Sequence, residues 1–87
     1  MKPSLWPILL ELGRPGSHIA YNTLTKHAIL HDGEPISVSL AVSREDLLTL
    51  FQNAWIARYQ NLGGLYFYRI TELGRDASRD GSNEELN

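Results

Sequence analysis

The sequence predicts a small α+β domain with three to four helices and a C-terminal β-hairpin. Two runs of aromatic and β-branched residues, Trp55–Gln60 and Leu65–Ile70, are typical of β-strands. Gly63 and Gly64 lie between them, and glycine accepts the positive φ that tight hairpin loops need. Ahead of the hairpin, apolar residues recur at helical spacing, which predicts a helix over about residues 43–54.

This helix has a well-defined start. Ser43 is a good N-cap, because its hydroxyl accepts a hydrogen bond from a backbone N–H of the first turn. Two acidic residues follow in that turn, where the helix dipole favours negative charge. Leu47, Leu50 and Phe51 recur at i, i+3 and i+4, so one face of the helix is apolar.

The N-terminal half is predicted to hold two helices and two extended segments. Ser4 caps a first helix that runs to about Leu12, and Ser17–Tyr21 is a short extended piece. A second helix is predicted over about Leu24–Leu30. Pro35–Val42 alternates apolar and small polar residues, which predicts a strand. The alternative is that the end of this run forms the turn of a helix-turn-helix.

The chain is predicted to form one domain over residues 1–77. Thr71 can cap a short last helix, Glu72–Ser78. Residues 78–87 are polar and acidic, which predicts a disordered tail.

Composition bounds the function classes. The 87 residues include no cysteine, which excludes disulfides and thiol catalysis and makes a reducing cytoplasm the expected location. No apolar run approaches the ~20 residues of a membrane span, so no membrane partner is expected. Residues 76–87 hold four acidic residues against one arginine, which leaves seven Lys/Arg against six Asp/Glu elsewhere. A near-neutral body permits binding of DNA.

No catalytic or metal chemistry is expected. His27 and His31 lie four residues apart on the predicted second helix, close to Asp32 and Glu34, as metal ligands would. An ordinary histidine at a helix end, favoured by the negative end of the dipole, is the better interpretation. No serine has the surrounding glycines of a nucleophile elbow, and neither an enzyme nor a cofactor is predicted.

Three phrases of the sequence resemble the winged helix-turn-helix regulators of the MarR or PadR type. Leu40-Ala41-Val42-Ser43-Arg44 is similar to the start of their recognition helix, and Trp55-Ile56 to the start of their wing. Ile70-Thr71-Glu72-Leu73-Gly74-Arg75 is similar to the phrase that closes the wing. The resemblance covers about residues 40–77.

This resemblance implies a winged helix-turn-helix-like fold and a homodimeric transcriptional regulator that binds double-stranded DNA. The recognition helix would span about residues 43–54 and the wing residues 55–70. The residues that it places at the DNA are Arg44, Thr49, Gln52 and Asn53 on the helix, and Arg58, Gln60, Asn61 and Arg69 on the wing. Arginine reads guanine, and glutamine or asparagine reads adenine, through paired hydrogen bonds.

A second hypothesis is a protein-binding accessory or inhibitor module on a similar scaffold, with no DNA binding. The net charge of −2 favours it, as do Tyr66 and Tyr68 if their rings are exposed. A homodimer is expected under the first hypothesis, because the apolar residues Leu5, Trp6, Ile8 and Leu9 exceed what one small core needs.

Overall fold

The computed structural model describes residues 2–31 and 39–86, with the side chains of the last helix as far as Arg79. Over these residues the chain forms five strands and three helices. In chain order they are α1 (Leu5–Leu12), β1 (His18–Asn22), β2 (His27–His31), β3 (Ser39–Val42), α2 (Arg44–Gln52), β4 (Ile56–Leu62), β5 (Leu65–Ile70) and α3 (Glu72–Leu86).

The five described strands form one antiparallel sheet in the order β3-β2-β1-β5-β4. Strand β1 lies at its centre, where Ile19 is opposite Leu30 on one side and Tyr68 on the other. Directly opposed residues point to the same face of a sheet. All three of these side chains are buried, so this face is the one that carries the core.

In the described part of the chain, all three helices lie on that face of the sheet and none lies on the other face. Helices α1 and α2 supply apolar side chains to the core cluster, and α3 packs against α1 and β5. The buried members of α1 are Leu5, Ile8, Leu9 and Leu12, at the spacing that puts them on one side of a helix. They fill the core of this chain, so they are not the surface excess from which a homodimer was predicted. The homodimer itself stays a prediction.

Two predicted caps are confirmed. The Asp46 N–H donates to the Ser43 hydroxyl oxygen over 3.1 Å at the start of α2. The Gly74 N–H donates to the Thr71 hydroxyl oxygen over 3.1 Å at the start of α3. Ser4 makes no side-chain cap, although α1 begins directly after it as predicted.

The predicted winged helix-turn-helix fold is wrong. The described chain is built mostly on a five-stranded sheet, and strand β3, not a helix, precedes α2. The predicted α+β class and the hairpin of β4 and β5 are confirmed. Three of the five strands, β1, β2 and β3, come from the N-terminal half of the chain, where a winged helix would have helices.

The predicted helix over Leu24–Leu30 is a β-hairpin. The Asn22 side-chain oxygen accepts the N–H groups of Leu24 and Thr25, over 2.9 and 3.2 Å. This resembles the bonding of a helix N-cap, but Lys26 then takes a positive φ of 61°, and the chain reverses into β2. In both the first turn of a helix and this hairpin turn, an asparagine side-chain oxygen accepts backbone N–H groups two and three residues ahead.

The remaining boundaries differ less. Ser17–Tyr21 was predicted extended and forms β1 with a shift of one residue at each end. Of the predicted strand Pro35–Val42, the end is confirmed as β3, and residues 35–38 lie outside the described residues, as do Asp32 and Glu34. Helix α3 continues to Leu86, eight residues past the predicted end at Ser78. The division into a domain and a tail stays a prediction.

Candidate nucleic-acid interface on the open sheet face

The sheet face opposite the helices is open. The residues that the register turns to this face include His18 with His31, Ala20 with Ile29 and Phe67, Gln60 with Phe67, and Ala57 with Arg69. Every described residue on it is exposed or partly exposed, and none is buried. Side chains on this face are therefore available to a ligand.

Four aromatic rings form a row across the open face. The rings of His31 and His18 stack with centroids 5.2 Å apart, and those of His18 and Phe67 lie 5.9 Å apart. The row continues to Tyr59, whose ring centroid is 6.4 Å from that of Phe67. The four residues come from β2, β1, β5 and β4, which are neighbours in that order. The row therefore crosses the strands, with one ring from each.

A β-bulge brings Tyr59 into this row. The pairing of β4 with β5 shifts between Arg58 and Gln60, so Tyr59 is an extra residue without a direct partner. Arg58 lies opposite Tyr68 on the helix side, whereas Gln60 lies opposite Phe67 on the open side. In an unbroken strand residues 58 and 60 would point to the same face.

Arginine side chains surround the Tyr59 end of the row. The Arg69 guanidinium carbon lies 5.0 Å from the centroid of the Tyr59 ring, a cation–π distance. Beside them is a cavity of about 310 Å³ whose lining includes Tyr59, Arg69, Arg14 and Arg75. Its walls come from the connection between α1 and β1, from both strands of the hairpin and from α3.

The electrostatics of the open face favour an anion. None of the five described strands contains an aspartate or a glutamate, while the open face carries Arg69 and three histidines. The Nδ1 atom of His18 lies 3.2 Å from the Gly16 carbonyl oxygen. A carbonyl oxygen only accepts, so Nδ1 is the nitrogen that donates in this contact.

Three of the described acidic side chains pair with cations elsewhere on the molecule. The Lys2 ammonium pairs with Glu45 at 3.4 Å and with Asp46 at 3.2 Å. Asp76 pairs with Arg79 on α3. The net charge of the whole chain is therefore a poor guide to the charge of the open face.

A second concavity lies on the helix side, between α2 and the sheet. This groove has a volume of about 220 Å³ and is lined by Tyr21, Arg44, Leu47, Leu48, Phe51, Tyr66 and Tyr68. The Arg58 guanidinium carbon lies 4.5 Å from the centroid of the Tyr66 ring. Burial raises the pKa of Tyr68, and the positive charge of the nearby Arg58 reduces this increase. The groove is mainly apolar and is rimmed by two cations.

The structure places the predicted DNA-contacting residues on different surfaces of the molecule. Arg44 lines the groove. On α2, the Thr49 hydroxyl donates to the Glu45 carbonyl over 3.0 Å and the Asn53 amide donates to the Thr49 carbonyl over 2.8 Å, so both groups bind their own helix. Gln52 is exposed.

The hairpin residues of the predicted site point to opposite faces. Arg58 and Asn61 lie on the helix side, opposite Tyr68 and Tyr66. Gln60 and Arg69 lie on the open face. The three arginines Arg44, Arg58 and Arg69 therefore do not converge, and of the eight predicted residues only Gln60 and Arg69 belong to the open face.

Four ring residues were absent from the predicted site. His31 was assigned to a helix end, because β2 was taken for a helix. Phe67 alternates with Tyr66 and Tyr68, and alternation alone does not tell which set faces the core. In the structure Tyr68 is 8% exposed and faces the core. If β1 and β2 had been predicted as paired strands, His18 opposite His31 would have indicated a ring pair on one face of the sheet.

The chain was also compared with known proteins. No protein-family model, no curated protein and no solved structure matches it. Among the described helices, none has both the length and the apolar character that crossing a membrane requires. Its function is therefore inferred from the geometry of the molecule.

Proposed function

We propose that the protein binds single-stranded nucleic acid across its open sheet face. The observation that carries the proposal is the row of four rings, His31, His18, Phe67 and Tyr59, with an arginine at its end. Unpaired bases stack on aromatic rings, and each such stack contributes about 1–3 kcal/mol by alanine substitution. Arg69 supplies donors to the phosphates that follow the bases.

The ring row favours unpaired strands over the duplex. In a duplex the base faces are stacked on one another, and only the base edges are accessible in the grooves. Side chains of the open face offer stacking, which only unpaired bases can use.

The proposed binding depends on a local rather than an overall positive charge. The absence of carboxylates from the described strands leaves Arg69 to attract phosphate and the histidine N–H groups to donate hydrogen bonds to it. Affinity is expected to fall as salt rises, with a slope of about −0.7 on logarithmic axes for each phosphate neutralised on a single strand. Cytoplasmic location is part of the proposal, because the chain has no cysteine that needs an oxidising compartment.

Fluorescence polarisation with an internally labelled single strand of about 12 nucleotides tests the proposal. Tyr59→Ala and Phe67→Ala are each expected to weaken binding about 5- to 150-fold, since each removes one stacking ring. Phe51→Ala is the matched control. Phe51 is 48% exposed and Tyr59 44% exposed, but Phe51 lies on the helix side.

Three results would overturn the proposal. These are no binding by the wild-type protein at about 50 mM salt, tighter binding of the corresponding duplex, and an equal loss of affinity with Phe51→Ala. Circular dichroism of each variant establishes that the fold is retained.

The groove beside α2 favours a second candidate function, binding of a partner protein. Its lining combines Phe51 and three tyrosines with Arg44, and Arg58 lies over the ring of Tyr66. An aromatic or aliphatic side chain close to a carboxylate has the matching chemistry. Aromatic and arginine residues are enriched at the centres of protein interfaces.

The same pair of variants separates the two functions. A partner captured from host extract by the wild-type protein, lost with Phe51→Ala and kept with Tyr59→Ala, supports the groove. Loss with Tyr59→Ala and retention with Phe51→Ala counts against it. Nuclease treatment of the extract removes capture through bound nucleic acid.

A further inference from the structure

The cavity beside Tyr59 carries more positive charge than an internal phosphate of a nucleic acid strand would need. Three arginines, Arg14, Arg69 and Arg75, line it. The Arg75 Nη1 atom donates to the Gly13 carbonyl oxygen over 3.2 Å, which anchors that side chain at the cavity wall. A phosphodiester in the middle of a strand carries a single negative charge.

One carboxylate reduces the charge at the cavity. Glu11 pairs with Arg14, with 3.3 Å between Oε2 and Nε. Among the described residues, these three arginines and one carboxylate add up to a net charge of +2. A phosphomonoester carries about −1.5 to −2 at pH 7, because its second pKa is about 6. The cavity therefore matches a terminal phosphate in charge.

We infer that this cavity binds the terminal phosphate of the single strand whose bases stack on the ring row. The inference rests on the proposed function and adds that the protein recognises strand ends. Tyr59 connects the two sites, because its ring is both the last of the row and part of the cavity wall. Arg69 lies over one face of the Tyr59 ring, so a base stacked on the other face would have its own phosphate near the arginine.

Three oligonucleotides of one sequence test the inference. One carries a 5′-phosphate, one a 3′-phosphate and one neither, and all carry the same internal label. We expect one of the phosphorylated strands to bind about tenfold more tightly than the strand without a terminal phosphate, the effect of one added charge-assisted hydrogen bond. The preference is expected to shrink below about pH 6, where the terminal phosphate gains a proton.

Variants assign the preference to the cavity. Arg75→Gln is expected to bring the ratio of the affinities of the phosphorylated and unphosphorylated strands close to one. Arg79→Gln is the matched control, because Arg79 lies on the same helix, is exposed and pairs with Asp76 outside the cavity. If Arg75→Gln does not fold, Arg14→Gln makes the same test from the other wall. Added inorganic phosphate is expected to reduce the preference by competing for the cavity.

The outcomes separate the inference from the proposed function. Equal binding of all three strands, with loss of affinity in Phe67→Ala, overturns the terminal site and leaves the sheet face as a general binder. A preference that survives both Arg75→Gln and Arg14→Gln also overturns the cavity as its source. Absence of binding by every strand overturns both the proposed function and the inference.

Discussion

Gly74 is packed directly against the backbone of Trp55 where β5 passes into α3. A β-carbon at residue 74 would lie 2.2 Å from the Trp55 carbonyl oxygen and 2.7 Å from Cγ1 of Ile70. The same carbonyl accepts the Thr71 N–H over 3.0 Å. The start of α3 is therefore held against the residue that precedes β4, and only glycine fits at this contact.

Gly74→Ala is expected to destabilise the fold by about 1–3 kcal/mol, the usual cost of overpacking a site that cannot relax. The nearest atom belongs to the Trp55 backbone, which cannot rotate away as a side chain could. Urea unfolding measures the change. Gly13→Ala is the control, because its φ of −70° suits alanine and its nearest contact would be 3.3 Å. Equal stability of Gly74→Ala and the wild-type protein would contradict the packing.

This junction explains why the sequence predicted local structure well and the fold incorrectly. The phrase Ile70–Arg75 resembles the end of a winged-helix wing. In the structure it is a strand end, a threonine cap and a glycine at a close backbone contact. Any strand that turns into a helix against a neighbouring strand needs these features, and a five-stranded sheet needs them as much as a winged helix does.

The N-terminal half shows where local chemistry leaves two folds open. Asn22 followed by a threonine is equally typical of a helix N-cap and of a hairpin turn. Ala28 and Leu30 are buried, whereas Ile29 is 38% exposed, which is a strand pattern over a segment too short to identify by period. The pairing of β2 with β1 and β3 decides between the two, and this pairing involves residues distant in sequence.

The candidate site depends on the sheet order, which no local pattern contains. The ring row exists because β1 lies between β2 and β5, so that His18 contacts both His31 and Phe67. Tyr59 joins it only through the bulge in β4. The winged-helix resemblance placed Arg69 and Gln60 among the contact residues, and both lie on the open face.

Thr71→Ala is expected to cost about 0.5–2 kcal/mol of stability, because it removes the cap of α3. The Thr71 hydroxyl accepts the Gly74 N–H and donates to the Ala54 carbonyl oxygen over 2.6 Å, so two backbone groups lose their partner. Thermal unfolding measures the effect. Thr71→Ser keeps the hydroxyl and should recover most of the loss. A serine variant as unstable as the alanine variant would show that the methyl group, not the cap, matters.

Stability is expected to fall as the pH rises above about 10. The pKa of Lys2 is raised, first by its hydrogen bond to Asp46, so its contribution is complete below its unfolded pKa and is lost as the pH passes the folded value. The pKa of Tyr68 is raised by burial. The unfolded state therefore loses that proton first and becomes favoured at high pH.

Urea unfolding between about pH 8 and pH 11.5 measures this fall. Lys2→Gln and Tyr68→Phe each remove one of the two groups, so each variant should show a shallower fall than the wild-type protein. A fall of the same steepness in both variants would assign the alkaline transition to other groups.

Trp6→Phe is expected to destabilise the contact between α1 and α3 by about 0.5–1.5 kcal/mol, the net value of one hydrogen bond. The Trp6 indole N–H donates to the Ser78 carbonyl oxygen over 2.8 Å, and no phenyl group replaces it. A chain that ends at Ala77 lacks this acceptor. The same substitution in that shorter chain should therefore cost less, because the bond is already absent. Equal losses in the two chains would mean that the bond contributes nothing and that the packing of the indole ring carries the whole effect.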